Sequence, residues 1–235
     1  MFSRICNRLI EHPQGERKNS FTYNDLHQQT TKTDHQGNTT HFNYNALGFP
    51  ITTTLPTNKN QNAQISATYN ILGHPQTITD PLQNTITTKH TFQGKPYYTQ
   101  YPDGTEEHIT YTLAGKIETH TSPSGTKTHN TYDYQNRLTS KQIYSPTNEL
   151  LSEESYTYNT FQLLSYRAPD GVTTTYTYDD AGRKTSEQTL DRITNYTYDA
   201  SHNIETITTG PQLKRITYDI LNRIIQETEE DLTGN

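Results

Sequence analysis

The residues best suited to chemistry in this sequence are four aspartates that recur at one place in a repeated pattern: Asp133, Asp179, Asp199 and Asp219. Carboxylates stacked in this way could bind calcium ions or the hydroxyl groups of a sugar. Each aspartate also follows a strand-like run, where an Asp side chain can accept bonds from backbone amides further along and so initiate a turn. Turn formation explains the pattern without a ligand. We therefore predict structural turn residues, no metal site and no cofactor.

Other reactive groups do not form a catalytic pattern. Arginine follows three of the aspartates by four residues, at Arg137, Arg183 and Arg223, and exposed ion pairs of this kind contribute only about 0–1 kcal/mol, which fits a bracing role in a turn. The ten histidines show no His-Glu-x-x-His spacing. Cys6 is the single cysteine, and neither a Gly-x-Ser-x-Gly elbow nor a phosphate-binding loop occurs. The sequence predicts that the protein is not an enzyme.

The composition points to an extended polar β-structure. Only 29% of residues are hydrophobic and the mean hydropathy is -0.99, values too low for an ordinary packed domain. Yet 18 tyrosines and many threonines favour strands, and 19% charged residues are too few for a disordered, self-repelling tail. These features favour strands with a wet surface over a dry core.

Charge and hydropathy also exclude two classes of partner. The net charge is -6, and Lys and Arg form no runs, which argues against nucleic acid. No stretch approaches the roughly 20 apolar residues of a membrane span. Residues 1–10 contain no apolar core of a signal peptide. The location is unknown from these residues; we expect a secreted or cell-surface protein exported without a signal peptide, or a cytoplasmic one if the chain is a truncated fragment.

Aromatic residues recur at intervals near twenty residues and define a repeat. The anchors are Tyr23, Tyr44, Tyr69, Phe92, Tyr111, Tyr132, Tyr158, Tyr178, Tyr198 and Tyr218. The last four are spaced by 20 residues without slippage. A fixed period of this length indicates a repeat architecture.

Two columns of turn residues accompany the anchors. Four residues after an anchor stand Gly48, Gly73, Gly115 and Gly182, with Asn136 and Asn222 in the same column. Gly and Asn accept a positive φ most readily, so this column predicts a left-handed turn position. A second column, Gly104, Gly125 and Gly171, follows Pro by two residues and precedes the next anchor by seven. Seven residues between turns is the length of a strand.

Each repeat is therefore expected to be a strand, a tight turn, a second strand and a second turn. In the best copy, residues 172–178, the side chains alternate, so that Tyr176 and Tyr178 share one face and the intervening threonines the other. A single hairpin is marginal in water, so neighbouring hairpins must pair and place the tyrosines in a ladder. The predicted fold class is all-β, built from tandem hairpin repeats.

These residues resemble the RHS/YD-repeat family, whose units read approximately Tyr-x-Tyr-Asp-x-x-Gly-Arg-Leu, then Pro-Asp-Gly, then a strand to the next tyrosine. Residues 176–183, with residues 169–171 upstream, match this pattern almost completely. The resemblance implies a spiralling antiparallel sheet that forms an open segment of a hollow β-shell, as in bacterial RHS toxins, insecticidal toxin complexes and teneurins. Such shells commonly enclose a toxin domain. The family's Asp-Pro-x-Gly signature is not found, because residues 80–83 read Asp-Pro-Leu-Gln, and no toxin-like domain follows Tyr218.

The phase of the two ends suggests how the chain is organised. We expect a partial, degenerate first repeat at residues 1–20, the repeat array at residues 21–230, and a truncated last repeat at residues 231–235. Repeat arrays normally carry polar caps, and none is visible in the sequence. Open sheet edges would then invite self-association or docking onto a complementary shell segment.

Two functions are compatible with this pattern. The first is a non-catalytic structural segment of an RHS/YD shell that encloses or presents a polypeptide, toxin-like cargo. The alternative is a cell-surface carbohydrate-binding or adhesion repeat protein, in which tyrosine ladders stack on glycans.

Overall fold

The computed structural model describes residues 4–10, 17–56 and 63–233, and over these ranges it contains 21 β-strands and no helix. The chain divides into two compact units, one of residues 1–110 and 121–124 and one of residues 111–120 and 125–235. Every strand pairing within the units is antiparallel, so the predicted all-β class is confirmed. In the described ranges there is no helical segment of the length and apolarity that crossing a bilayer requires.

The first unit is a meander in which each strand pairs with the next one along the chain. Its strands are β1 (Arg4–Ile10), β2 (Arg17–Tyr23), β3 (Gln29–Thr33), β4 (Thr39–Tyr44), β5 (Pro50–Leu55), β6 (Ala63–Tyr69), β7 (Pro75–Thr79), β8 (Thr85–His90), β9 (Pro96–Gln100) and β10 (Glu106–Tyr111).

The second unit has the same arrangement, with sequential pairing from β12 to β21. Its strands are β11 (Ile117–Thr121), β12 (Lys127–Tyr132), β13 (Leu138–Tyr144), β14 (Leu150–Tyr158), β15 (Leu163–Arg167), β16 (Thr173–Tyr178), β17 (Lys184–Thr189), β18 (Arg192–Tyr198), β19 (Ile204–Thr209), β20 (Gln212–Tyr218) and β21 (Ile224–Asp231). The division predicted at residues 20 and 230 stays a prediction.

Two series of turns connect these strands. We call the turns that follow the anchors "anchor turns"; they are residues 24–28, 45–49, 70–74, 91–95, 112–116, 133–137, 159–162, 179–183, 199–203 and 219–223. The others, called "second turns", include residues 34–38, 80–84, 101–105, 122–126, 145–149 and 168–172. Consecutive antiparallel strands place the two series at opposite ends of the strands.

Most turns of both series share one backbone geometry. In the turn at residues 70–74, the amide of Gly73 donates to the carbonyl of Asn70 at 3.0 Å, and the amide of Asn70 donates to the carbonyl of His74 at 2.9 Å. This is a type I turn followed by one left-handed residue. Gly73 supplies that residue with a φ of 84°. The predicted left-handed column is therefore explained by the hairpin loop.

Loop length and strand length together set the repeat length. Both connections between Tyr23 and Tyr44 have this geometry and join strands of five and six residues, which gives a period of 21 residues. Between Tyr132 and Tyr158 the connections have the same geometry, but the longer strands β13 and β14 extend the period to 26. The second connections beyond Thr189 and Thr209 contain only two residues, and they shorten the period to 20. Their first residues, Leu190 and Gly210, have φ values of 51° and 55°. Positive φ at that position is typical of a type II′ turn.

Burial is shallow in both units. Among the described residues only Leu213 and Ile216, on β20, lose nearly all contact with solvent. Half-buried side chains alternate with exposed ones along strands such as β16 and β10. Stability must therefore come mainly from contacts along the ribbon of strands, between one repeat and the next.

The turn glycines give a test of these contacts. A Cβ on Gly73 would overlap the ring of Phe49, whereas a Cβ on Gly104 would meet no atom within 4 Å, although Gly104 has the same φ of 84°. We expect Gly104→Ala to lower the free energy of unfolding by about 1–2 kcal/mol, the cost of a left-handed alanine. Gly73→Ala should cost at least ~1 kcal/mol more because the ring must move. Urea denaturation measures both, and equal losses would contradict the packing described.

Candidate functional site

The predicted tyrosine anchors stand at the last residue of their strands. They are Tyr44 (β4), Tyr69 (β6), Tyr111 (β10), Tyr132 (β12), Tyr158 (β14), Tyr178 (β16), Tyr198 (β18) and Tyr218 (β20). Most of them occupy a β-bulge. Thr177 faces Ser186 in the ladder but Tyr178 faces Lys184, so Thr185 is an extra residue in the return strand. The same shift occurs at Tyr44, Tyr69, Tyr132, Tyr158, Tyr198 and Tyr218.

The bulge leaves a backbone carbonyl outside the ladder. On the far side of β17, pairing with β18 begins at Ser186, two residues beyond Lys184. The carbonyl of Lys184 therefore has no ladder amide there. The hydroxyl of Tyr198, the next anchor, donates to this carbonyl at 2.8 Å. A side-chain hydroxyl thus replaces the missing backbone donor.

This bond recurs in both units, and we call the series the "hydroxyl ladder". The donor and acceptor residues are Tyr44 and Gln29, Tyr69 and Pro50, Tyr132 and Ile117, Tyr158 and Leu138, Tyr178 and Leu163, Tyr198 and Lys184, and Tyr218 and Ile204. The O···O distances lie between 2.8 and 3.0 Å. Each of these seven anchors therefore ties its own repeat to the preceding repeat.

A second contact covers the anchor rings. The residue five positions after one anchor packs on the ring of the next anchor. Phe49 stacks on Tyr69 with ring centroids 5.0 Å apart. The Arg137 guanidinium lies 4.4 Å from the ring centre of Tyr158. An aromatic or cationic side chain at this position stabilises the ring through its face, in addition to the bond made by the hydroxyl.

The four predicted turn aspartates bond to backbone amides and side chains of their own turns. Oδ1 of Asp133 accepts from the amides of Gln135 and Arg137 at 2.9 and 3.0 Å. Its Oδ2 accepts from Nε and Nη2 of Arg137 at 2.8 and 2.7 Å. A carboxylate has about four acceptor positions, and here all four are occupied. Equivalent bonds are made by Asp179, Asp199 and Asp219, with Asn203 in place of arginine beside Asp199.

These hydrogen bonds explain why the pKa values of the repeated aspartates are lowered. Hydrogen bonds from the backbone and then the side chain of Arg223 hold the pKa of Asp219 below its usual value. Burial acts to raise the pKa of Asp133, but the bonds from Arg137 and Gln135 outweigh it and the pKa is lowered. The carboxylates are therefore ionised at neutral pH, with their lone pairs committed to the turn. Within the described ranges, His, Cys, Asp and Glu side chains nowhere gather in a group of three or more that could hold a metal ion.

The predicted turn glycines occupy left-handed positions in both series. Gly48, Gly73, Gly115 and Gly182 lie in anchor turns, and Gly104, Gly125 and Gly171 lie in second turns, with φ values from 76° to 89°. The site thus consists of anchors, carboxylates and glycines that build the ribbon itself.

One anchor was assigned wrongly. Phe92 lies in the turn at residues 91–95 and is 84% exposed, whereas His90 ends β8 and faces Pro96 at the bulge. His90 stacks on His74 with centroids 5.3 Å apart, and its Nδ1 has no hydrogen-bond partner in the part of the chain that the structure describes. The aromatic character of Phe92 misled the assignment. With His90 as anchor, the irregular steps around Phe92 become two steps of 21 residues.

Sequence reasoning also missed hydroxyl pairs on the opposite face of the strands. The residue before an anchor bonds across the bulge to the return strand, as in Thr68 with Thr77 and Thr197 with Thr206, both at 2.7 Å. A threonine directly before most anchors was the available signal. The threonine-rich composition therefore supplies cross-strand bonds as well as strand propensity.

Comparisons with known proteins agree with this geometry. The RHS repeat family model matches residues 23–59 and 158–192. A structure of the Photorhabdus luminescens Tc holotoxin pore, with a substitution in TccC3, aligns over 94% of this chain with a TM-score of 0.55 and 15% identity. The crystal structure of TcdB2-TccC3 without its hypervariable C-terminal region aligns over 97%, with a TM-score of 0.51 and 16% identity. The chain spans about 15% of the length of each of these chains. Among curated proteins none matches it significantly.

The hydroxyl ladder can be tested at a single rung. Tyr178→Phe keeps the ring but leaves the carbonyl of Leu163 without its donor, so we expect a loss of about 1–2 kcal/mol in the free energy of unfolding. Tyr134→Phe is the control, because Tyr134 is exposed in a turn and its hydroxyl meets only the side chain of Gln135. The control should stay within ~0.5 kcal/mol of wild type. Similar losses for the two variants, measured by urea denaturation, would argue against a ladder.

The histidine anchor predicts a dependence on pH. Burial, and then the nearby His74, lower the pKa of His90, so the folded chain resists a proton that the unfolded chain accepts below about pH 6.5. Stability should therefore fall as the pH drops through that region. His90→Tyr should reduce this fall and add about 1 kcal/mol at pH 7.5, since a tyrosine hydroxyl there can reach the Pro75 carbonyl, which lies two residues before the β7–β8 ladder begins.

Phe92→Tyr is the matched control for this change. It adds a hydroxyl at the exposed turn position, where no carbonyl of the ladder is available, and should leave the stability and its pH profile unchanged. A stabilising Phe92→Tyr together with a neutral His90→Tyr would restore the original assignment of the anchor.

Proposed function

Because the chain belongs to the RHS/YD-repeat family, we propose that it is a non-catalytic structural segment of a repeat shell that encloses or presents a polypeptide, toxin-like cargo. The observation that carries this proposal is the hydroxyl ladder, in which seven anchors bond to the preceding repeat. Such nearest-neighbour coupling stabilises an extended wall of strands and does not require a core. A wall of this kind is a scaffold.

The proposal of a non-catalytic role rests on how the polar groups are used. The carboxylates of Asp133, Asp179, Asp199 and Asp219 accept hydrogen bonds from turn amides and from Arg or Asn side chains. Tyrosine hydroxyls of the anchors are bound to backbone carbonyls. A general acid or base must be able to exchange a proton with a bound substrate. These carboxylates and hydroxyls are instead engaged in hydrogen bonds within the ribbon.

A polypeptide cargo is suggested by the proteins with the same fold. Two of them are components of Tc toxin assemblies, and one lacks a region described as its hypervariable C-terminal region. We propose that the cargo and the rest of the shell are supplied by adjacent sequence or by another chain. Self-association through open sheet edges and export without a signal peptide remain predictions, as does glycan binding.

A chimera tests the proposal. The stretch of the TcdB2-TccC3 shell that aligns with this chain would be replaced by residues 17–233, leaving the C-terminal polypeptide of the shell in place. We expect a soluble chimera in which that polypeptide resists added protease, because the transplanted repeats continue the wall. The measurement is the rate of cleavage of the C-terminal polypeptide, relative to the unmodified shell and to a shell with the stretch deleted.

The control chimera carries Tyr178→Phe, Tyr198→Phe and Tyr218→Phe, which remove three successive rungs and should restore cleavage. A folded chimera whose polypeptide is cut as fast as in the deletion would count against a shell role. A glycan array probed with the unmodified chain addresses the rival: saturable binding that is lost when exposed tyrosines are changed to alanine would favour a carbohydrate-binding protein.

A further inference from the structure

Two tyrosines that lie against each other on neighbouring strands of the second unit include no shared anchor contact. Tyr156 of β14 and Tyr166 of β15 are direct partners in the strand register, ten residues apart in sequence. Their ring centroids are 5.1 Å apart and the ring planes are inclined by 32°. Tilted rings approach more closely at one edge than at their centres, and cross-strand pairing keeps that approach in place. The ribbon therefore holds two phenols in contact.

A carboxylate is bonded to one of these phenols. The hydroxyl of Tyr156 donates to Oε2 of Glu154 at 2.7 Å. The Glu154 side chain is 20% exposed, so a proton that it receives can pass on to water. Burial, and then the bond to Glu154, raise the pKa of Tyr156, and the phenol therefore keeps its proton at neutral pH. Removal of an electron from this ring requires a proton acceptor, and Glu154 is already within hydrogen-bond distance.

Other tyrosines show that a base and a second phenol are separate conditions. The anchor Tyr178 bonds to the backbone carbonyl of Leu163, and an amide oxygen is not a base at neutral pH. Tyr98 bonds to the carboxylate of Glu106 at 2.7 Å, but the ring that packs against it belongs to His108. At Tyr156 the carboxylate and the second phenol occur together.

We propose that Tyr156 and Tyr166 are a site of oxidative cross-linking, where a peroxide-driven one-electron oxidant joins them through a bond between their Cε atoms. The oxidant removes one electron from each ring, and the phenolic protons pass to Glu154 and to water. The two phenoxyl radicals couple at the carbons next to the oxygens. Each of these carbons then releases its hydrogen as a proton, and both hydroxyl groups are restored. In total two electrons and two protons leave the protein, and one hydrogen peroxide is reduced to two water molecules.

The cross-link fastens β14 to β15 across the anchor turn at residues 159–162. A disulfide within this chain cannot do so, because Cys6 is its single cysteine. A covalent bond between two strands restricts the unfolded chain and so stabilises the folded ribbon. The pair thus gives a wall without a core a covalent fastening in oxidising surroundings.

Peroxidase treatment of the full chain tests the proposal. Dilute protein is incubated with a haem peroxidase and hydrogen peroxide, and chymotrypsin then cuts at Phe161 and Leu164, between the two rings. We expect the fragments that carry Tyr156 and Tyr166 to remain joined, with the mass of two hydrogen atoms lost and with the fluorescence of a biphenol. The same treatment in urea, where the strands are separated, should not give this link.

Three variants separate the contributions. Tyr166→Phe abolishes the link but keeps the ring pair, and within the described ranges the Tyr166 hydroxyl makes no hydrogen bond that the change would remove. Glu154→Gln keeps an acceptor oxygen for Tyr156 but removes the base, and slows coupling about tenfold or more. Tyr134→Phe removes a phenol that is 84% exposed and leaves the yield unchanged. Circular dichroism confirms that the variants retain their strands.

Four results would overturn the proposal. A main product that joins two chains through Tyr134 would mean that exposure, and not strand pairing, decides which tyrosine reacts. A link that survives Tyr166→Phe would place it on another pair of rings. Equal yields in urea and in buffer would mean that closeness in sequence is sufficient. A wild-type rate in Glu154→Gln would remove the carboxylate from the reaction.

Discussion

The bond from a tyrosine hydroxyl to a backbone carbonyl is the interaction on which the repeats depend. A bulge at the end of each hairpin removes one carbonyl from the strand ladder, and an unpaired carbonyl that is partly shielded from water is costly. The anchor of the following repeat supplies the missing donor, for example Tyr178 to Leu163. The bulge leaves a carbonyl free and the tyrosine of the following repeat bonds to it, so each feature requires the other. Because the two groups lie in neighbouring repeats, the aromatic period and the turn period stay in phase.

A ribbon stabilised in this way has little need of a hydrophobic core, and the composition reflects that. Among the described residues only Leu213 and Ile216 are nearly fully buried apolar side chains, while half-buried side chains, hydroxyl pairs, stacked rings and turn carboxylates provide the remaining contacts. Such contacts are individually modest, of about 1 kcal/mol, but they recur in every repeat. The carboxylates of Asp133 and Asp219, which could have bound a ligand, instead accept hydrogen bonds within their own turns.

The sequence predicted what is local and periodic. The left-handed positions at Gly73 and Gly182, the turn-initiating aspartates and the strand ends at the tyrosines all follow from residue type and spacing. It failed where tertiary pairing decides. His90 holds an anchor position without being a Phe or Tyr, because the register with Pro96 places it there. The two-residue turn at Leu190 could not be recognised either, since leucine rarely adopts a positive φ and only the neighbouring strand register imposes it.

The same dependence on neighbours connects structure to function. In a packed domain, activity is placed in a cleft between elements; here the described residues form a wall whose polar groups already serve the wall itself. What remains available is its surface, namely two faces of half-exposed side chains and two edges of turns. Both edges use the same turn geometry, in which the first residue and the left-handed residue make the bonds of the turn. The tip residues between them make no bond that the turn requires, so they can vary from repeat to repeat without changing the ribbon.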